Sequence, residues 1–113
     1  MLNKYHIKRK LYKRGSSYEI TIPKAILWNL DLSRKYNVIF NKKKDRWFIR
    51  FKEFGKESKG RAIVRRLYKR GDSYETTLPA QILFSLDLNK KYKVVFVSDK
   101  EWYINLEESH LVQ

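Results

Sequence analysis

Two short stretches, Tyr12-Lys13-Arg14-Gly15 and Tyr68-Lys69-Arg70-Gly71, carry the pattern best suited to chemistry with a polyanion. Arginine presents a planar fork of donors that matches a guanine edge or a phosphate, whereas lysine is a flexible point charge suited to phosphate. Glycine takes positive φ at low cost, which suits a tight turn and lets backbone N–H groups approach a ligand. Ser17 and Ser73, two residues further on, add short hydroxyl donors. Arg9, Lys10, Arg65 and Arg66 extend the same chemistry along the segments that precede the turns. The plain alternative is an ordinary hairpin with solvated charges.

These stretches are copies. At an offset of 56 residues, the window 5–45 matches 61–101 at 22 of 41 positions, where chance would give about two or three, so the chain is an internal duplication. Two repeats are read, 1–53 and 61–108, joined by a linker over 54–60 and followed by a tail over 109–113. Units of this size bury too little apolar surface alone, so the halves are expected to share one core, within a chain or between chains.

The elements that must position the turns follow from periodicity. In Tyr5–Lys13, Ile7 and Leu11 share one face with Arg9 between them, while Lys8, Lys10 and Tyr12 point the other way, as a strand requires. The copy is Arg61–Lys69. A second short strand places Tyr18, Ile20 and Ile22 on one face, matched by Tyr74, Thr76 and Leu78. Pro23 and Pro79 then stop the ladder and open helices expected over Lys24–Leu30 and Ala80–Leu86. A hairpin closes each unit: Tyr36–Phe40 with Trp47–Phe51, and Tyr92–Val97 with Trp102–Leu106 across a loop one residue shorter. The expected fold class is mainly β with short helices, as tandem β-β-α-β-β units.

The chain carries 26 Lys and Arg against 12 Asp and Glu, a net charge of +14. The excess is uneven: +11 over residues 1–53, +1 over 54–60 and +2 over 61–113. Such a balance points to nucleic acid first and an anionic membrane second. There is no cysteine, which excludes disulfides and cysteine-ligated zinc. No apolar run approaches membrane-spanning length and no signal-peptide core opens the chain, so a cytoplasmic location is expected. His6 and His110 have no copy in the other repeat, and no phosphate loop, metal-spaced cluster or nucleophile motif occurs. No catalytic residue, metal ligand, cofactor or small-molecule substrate is evident, and the chain does not read as an enzyme.

The order of these parts resembles the AbrB/SpoVT/MazE-type swapped-hairpin DNA-binding domain, in two tandem copies. The resemblance rests on the turns Lys13-Arg14-Gly15-Ser16-Ser17 and Lys69-Arg70-Gly71-Asp72-Ser73, on Thr21-Ile22-Pro23 and Thr77-Leu78-Pro79, and on Leu30-Asp31-Leu32 and Leu86-Asp87-Leu88. It implies a barrel of interlaced hairpins, formed as an intrachain pseudo-dimer or a homodimer. It also implies double-stranded DNA as partner and transcription regulation as function. Two departures stand out: Thr21 and Thr77 occupy a position where some relatives have a DNA-contacting arginine, and 33–36 and 89–92 are more basic than usual. The residues expected to face DNA are Arg9, Lys10, Lys13, Arg14, Ser17, Arg65, Arg66, Lys69, Arg70 and Ser73, with Arg14 and Arg70 reading bases. The charge difference between repeats predicts an asymmetric footprint held more tightly by the first. A sequence-neutral architectural or nucleic-acid-coating protein is the alternative reading; an antitoxin-like partner protein and single-strand or RNA binding are further rivals. An antitoxin-like partner protein is disfavoured by the few residues, Glu107–Gln113, after the last strand. Lys42-Lys43-Lys44, found only in the first repeat, is either a phosphate clamp or a solvated hairpin tip, and most aromatic residues are assigned to the core.

Overall fold

A computed structural model of the protein describes residues 5–56 and 60–109. Parts of the expected linker (57–59) and tail (110–113, including His110) therefore lie outside the described residues. The first repeat contains β1 (His6–Arg14), β2 (Ser17–Ile22), α1 (Lys24–Leu27), β3 (Tyr36–Lys43) and β4 (Arg46–Glu53). The second contains β5 (Ile63–Arg66), β6 (Tyr68–Arg70), β7 (Ser73–Thr77), α2 (Ala80–Leu83), β8 (Tyr92–Asp99) and β9 (Glu101–Glu108). The single strand expected over Arg61–Lys69 is thus broken at Leu67.

The sheet order is β5-β3-β4-β9-β8-β1-β2-β7-β6, an antiparallel, nearly closed barrel. Its edges, β5 and β6, are the two halves of the broken strand, so the chain itself spans the gap. β1 divides in the same way: His6–Lys10 pairs with β8, and Leu11–Arg14 pairs with β2. Leu11 and its copy Leu67 sit at these two bends and face the core.

The pairings interlace the repeats. β1 of the first repeat lies on β8 of the second, β5 of the second lies on β3 of the first, and β2–β7 and β4–β9 are also cross-repeat seams. Neither hairpin of a repeat pairs with that repeat's other hairpin among the described residues. The core answers the requirement for shared burial within a single chain. Ile20, Ile22, Val38, Phe40 and Ile49 meet Thr76, Leu78, Val94, Phe96 and Ile104, all but fully buried. Thr76 is the one polar member, and its hydroxyl is satisfied by donating to Arg66 O at 2.9 Å.

Two expectations change. Each helix is a single turn, and the chain then runs on through tight turns, with Leu30 N bonding Leu27 O and Arg34 N bonding Asp31 O. Asp31 and Asp87 govern these exits: each accepts the backbone N–H two residues on (Ser33 or Asn89, 3.1 Å), and each donates its own N–H to a tyrosine hydroxyl, Tyr36 or Tyr92. The hydrogen bonds from Ser33 hold the Asp31 carboxyl below the usual carboxylate range. The second change concerns Trp28 and its copy Phe84. At the ends of the helical turns both are 80% exposed instead of buried.

The β3–β4 hairpin turns on Lys44 and Asp45, both at positive φ, and β8–β9 turns on Lys100 alone, which is the one-residue difference read from the sequence. Within the lysine run, Lys43 lies over Phe48 and pairs with Glu101, while Arg46 stacks on Tyr103. These two cations cover an apolar patch of the outer sheet face.

Candidate nucleic-acid interface

β1, β2, β7 and β6 form a continuous four-stranded segment that carries both Lys-Arg-Gly turns. Gly15 and Gly71 adopt the left-handed conformation, with φ of 65° and 61°. Open space surrounds both, so what each position demands is the backbone angle and not room. Ile22 lies opposite Tyr74, which brings Ser73 opposite position 23, about six residues or roughly 20 Å along the strands from Ser17. The turns thus project from opposite ends of one sheet.

Tyr12, Arg14, Glu19, Glu75, Tyr68 and Arg70 share the outward face of this segment, as the pairs Tyr12–Glu19 and Tyr68–Glu75 show. At its centre lies a network spanning both repeats. Arg14 Nη1 donates to Glu75 Oε1 at 2.7 Å, with Glu75 buried and Arg14 partly exposed. The Tyr68 hydroxyl donates to Glu19 and lies 3.5 Å from Glu75, and Thr77 Oγ1 donates to Glu19 Oε2 at 2.9 Å. Burial of the two carboxylates is tolerable because each is hydrogen-bonded. The bond to Glu75 raises the Arg14 pKa above its ordinary value. Tyr12, the copy of Tyr68, stays outside at 40% exposure.

The ten expected interface residues divide clearly. Lys10, Lys13, Lys69 and Arg70 are exposed, and Ser17 and Ser73 are half-buried at the turn edges. Arg14 is held by Glu75. Arg9 and Arg65 face the other way from Lys10 and Tyr12 and are half-buried, each donating to the preceding carbonyl, Lys8 O at 2.8 Å or Val64 O at 2.9 Å. Arg66 stacks over Phe54, 4.8 Å from its ring centre. The sequence reading missed Glu19 and Glu75. Their signal was available: Tyr-Glu follows the turn serine identically in both repeats, and strand alternation places those glutamates on the face of Tyr12 and Tyr68.

Burial and the bond to Glu19 push the Tyr68 hydroxyl up to about 12 from an ordinary 10.0. A pKa raised on folding means that the folded state holds the proton more tightly. The associated stability is complete below the unfolded value and is lost as pH climbs through the folded one. Unfolding free energy is therefore expected to carry a component that declines between about pH 10 and 12, and Tyr68→Phe should abolish it. An absorbance titration of tyrosinate checks this directly. The late-titrating step should vanish in Tyr68→Phe and persist in Tyr12→Phe.

Among the described residues no group of three or more acidic or histidine side chains could hold a metal ion, and no helix is long and apolar enough to cross a membrane. Compared with known proteins, the chain matches no family model, no curated sequence and no solved structure.

Proposed function

We propose that the protein binds double-stranded DNA as a transcription regulator, as an interlaced swapped-hairpin pair of AbrB-like units within one chain. The observation that carries this reading is the position of both Lys-Arg-Gly turns at opposite ends of one four-stranded segment, with Lys10, Lys13, Lys69 and Arg70 exposed around it. Lys10, Lys13 and Lys69 supply phosphate contacts, which set affinity and register, and the arginines supply base readout. Arg70 is exposed, whereas Arg14 enters an interface already oriented by Glu75. Arg14→Ala and Arg70→Ala are accordingly expected to differ in effect.

Selection from random duplexes at physiological salt tests the reading. An enriched motif supports a regulator; recovery of no motif favours the sequence-neutral architectural protein, whose specific and non-specific affinities would be nearly equal. The asymmetric footprint has its own check. Replacing Lys10 and Lys13 with glutamine should weaken duplex binding more than replacing Arg66 and Lys69, because Arg66 is already engaged by Phe54. Each lost phosphate contact should also reduce the salt slope by about one. Equal losses from the two pairs would remove the asymmetry.

A further inference from the structure

The two repeats are not equivalent where β1 or β5 meets the other repeat's helix-exit loop. On the β1 side there is an open groove of about 630 Å³, a size that accommodates a small ligand. It is lined by Lys10 and Lys13 of β1, by Lys90 and Lys91 of the loop before β8, and by Lys93 of β8. Leu11, Tyr18, Leu88 and Tyr92 supply the apolar surface between them. Lys90 is partly neutralised by Glu108 at 3.6 Å. Lys10 and Lys93 lie directly opposite each other in the β1–β8 ladder, an arrangement of like charges that destabilises a sheet. Glu107, the neighbour of Lys93 on its other side, is paired with Lys8 at 3.0 Å.

The equivalent place on the β5 side differs in both charge and bulk. Asn37 stands opposite Arg66 where Lys93 faces Lys10, so no like-charge pair forms. Phe54 stands in the position of Ser109, as identical backbone bonds show: Phe54 N to Lys35 O and Ser109 N to Lys91 O, both 2.8 Å. Arg66 then stacks over Phe54 across that space. The loop exits are otherwise the same, each tyrosine hydroxyl accepting from its aspartate N–H. The Lys10–Lys93 pair, and the small Ser109 where the other side has Phe54, are therefore features of one side and not requirements of the fold.

We propose that the groove binds one anion of the nucleoside triphosphate class, with clustered phosphates between Lys10, Lys13, Lys91 and Lys93 and a flat ring against the Tyr18–Leu88 surface. An anion between Lys10 and Lys93 turns their repulsion into two attractions. This assignment does not depend on DNA binding. One consequence does rest on that reading: Lys10 and Lys13 belong to both sites, so occupancy lowers duplex affinity.

Calorimetric titration of the intact protein with ATP, at low salt, tests the site. One molecule per chain is expected. The double variant Lys91→Gln, Lys93→Gln should weaken binding by about tenfold or more per lost phosphate contact. Lys35→Gln, the equivalent of Lys91 on the β5 side, should leave it unchanged. Tripolyphosphate should bind more weakly than ATP. Opening the other side with Phe54→Ser and Asn37→Lys should create a second, weaker site. The proposal is overturned by no detectable ATP binding, by two sites in the unaltered protein, or by equal losses from the Lys35 and Lys91/Lys93 variants. Equal affinity for tripolyphosphate and ATP would overturn the ring contact.

Discussion

Between about 50 and 200 mM salt, affinity for duplex DNA is expected to fall about 10³–10⁵-fold, the loss shown by a protein whose cations neutralise roughly six to ten phosphates. The structure sets what that number means here. Four cations of the expected interface, Lys10, Lys13, Lys69 and Arg70, are exposed and make neither an ion pair nor a ring contact among the described residues. Four contacts alone would give a log–log slope near about −3.6, since each neutralised phosphate contributes about −0.9. Steeper slopes require recruits. Lys8 is the nearest, because its pair with Glu107 is half-exposed on both sides, and such pairs are worth at most about 1 kcal/mol. The lysines of the β1-side groove are next. A slope near −4 would confine DNA to these four cations, and one beyond −6 would extend the footprint to Lys8 and the groove. A slope near zero would defeat the duplex reading altogether.

What the sequence conveyed about this interface, and what it could not, follows from the range of the forces involved. Strand faces are local: period-two alternation in Tyr5–Lys13 put Lys8, Lys10 and Tyr12 outside and Ile7 and Leu11 inside, as found. The duplication conveyed that the repeats share a core, and the hairpin loop one residue shorter in the second copy matches the turn at Lys100. Cross-repeat partners are not local. Nothing adjacent to Arg14 announces that its charge meets a glutamate 61 positions away. Nor does the pattern around Leu67 reveal a break, because the bend there arises from pairing with two different strands, β3 and β7. The helices failed for another reason. The apolar spacing Ile26, Leu27, Leu30 fits two helical turns or one turn followed by a reverse turn, and a short helix has little cooperativity with which to extend. Predicted inward faces place most aromatic residues in the core, yet Trp28 and Phe84 both stand exposed at the end of that turn.

Truncating either central phenylalanine, Phe40→Ala or Phe96→Ala, is expected to cost about 3–5 kcal/mol. That is a large share of the roughly 5–15 kcal/mol that stabilises a typical domain. The register explains why the two losses should be equivalent. Phe40 is flanked by Ile49 of its own hairpin and by Ile63 of the other repeat, while Phe96 is flanked by Ile104 and by Ile7. Both rings are fully buried, and each is wedged between a strand of its own repeat and one of the other. Neither repeat can therefore lose its centre without uncovering its partner. Denaturant unfolding should show one transition, shifted to lower concentration by either variant with little change in slope. The double variant should cost more than either single one and still unfold in one step, if it folds at all. Two separable transitions, one sensitive only to Phe40→Ala and the other only to Phe96→Ala, would mean that the halves are independent domains. The seams at β1–β8, β5–β3, β2–β7 and β4–β9 would then contribute little. With four such seams and a core drawn from both copies, the interlaced chain has no smaller unit that buries its own apolar faces.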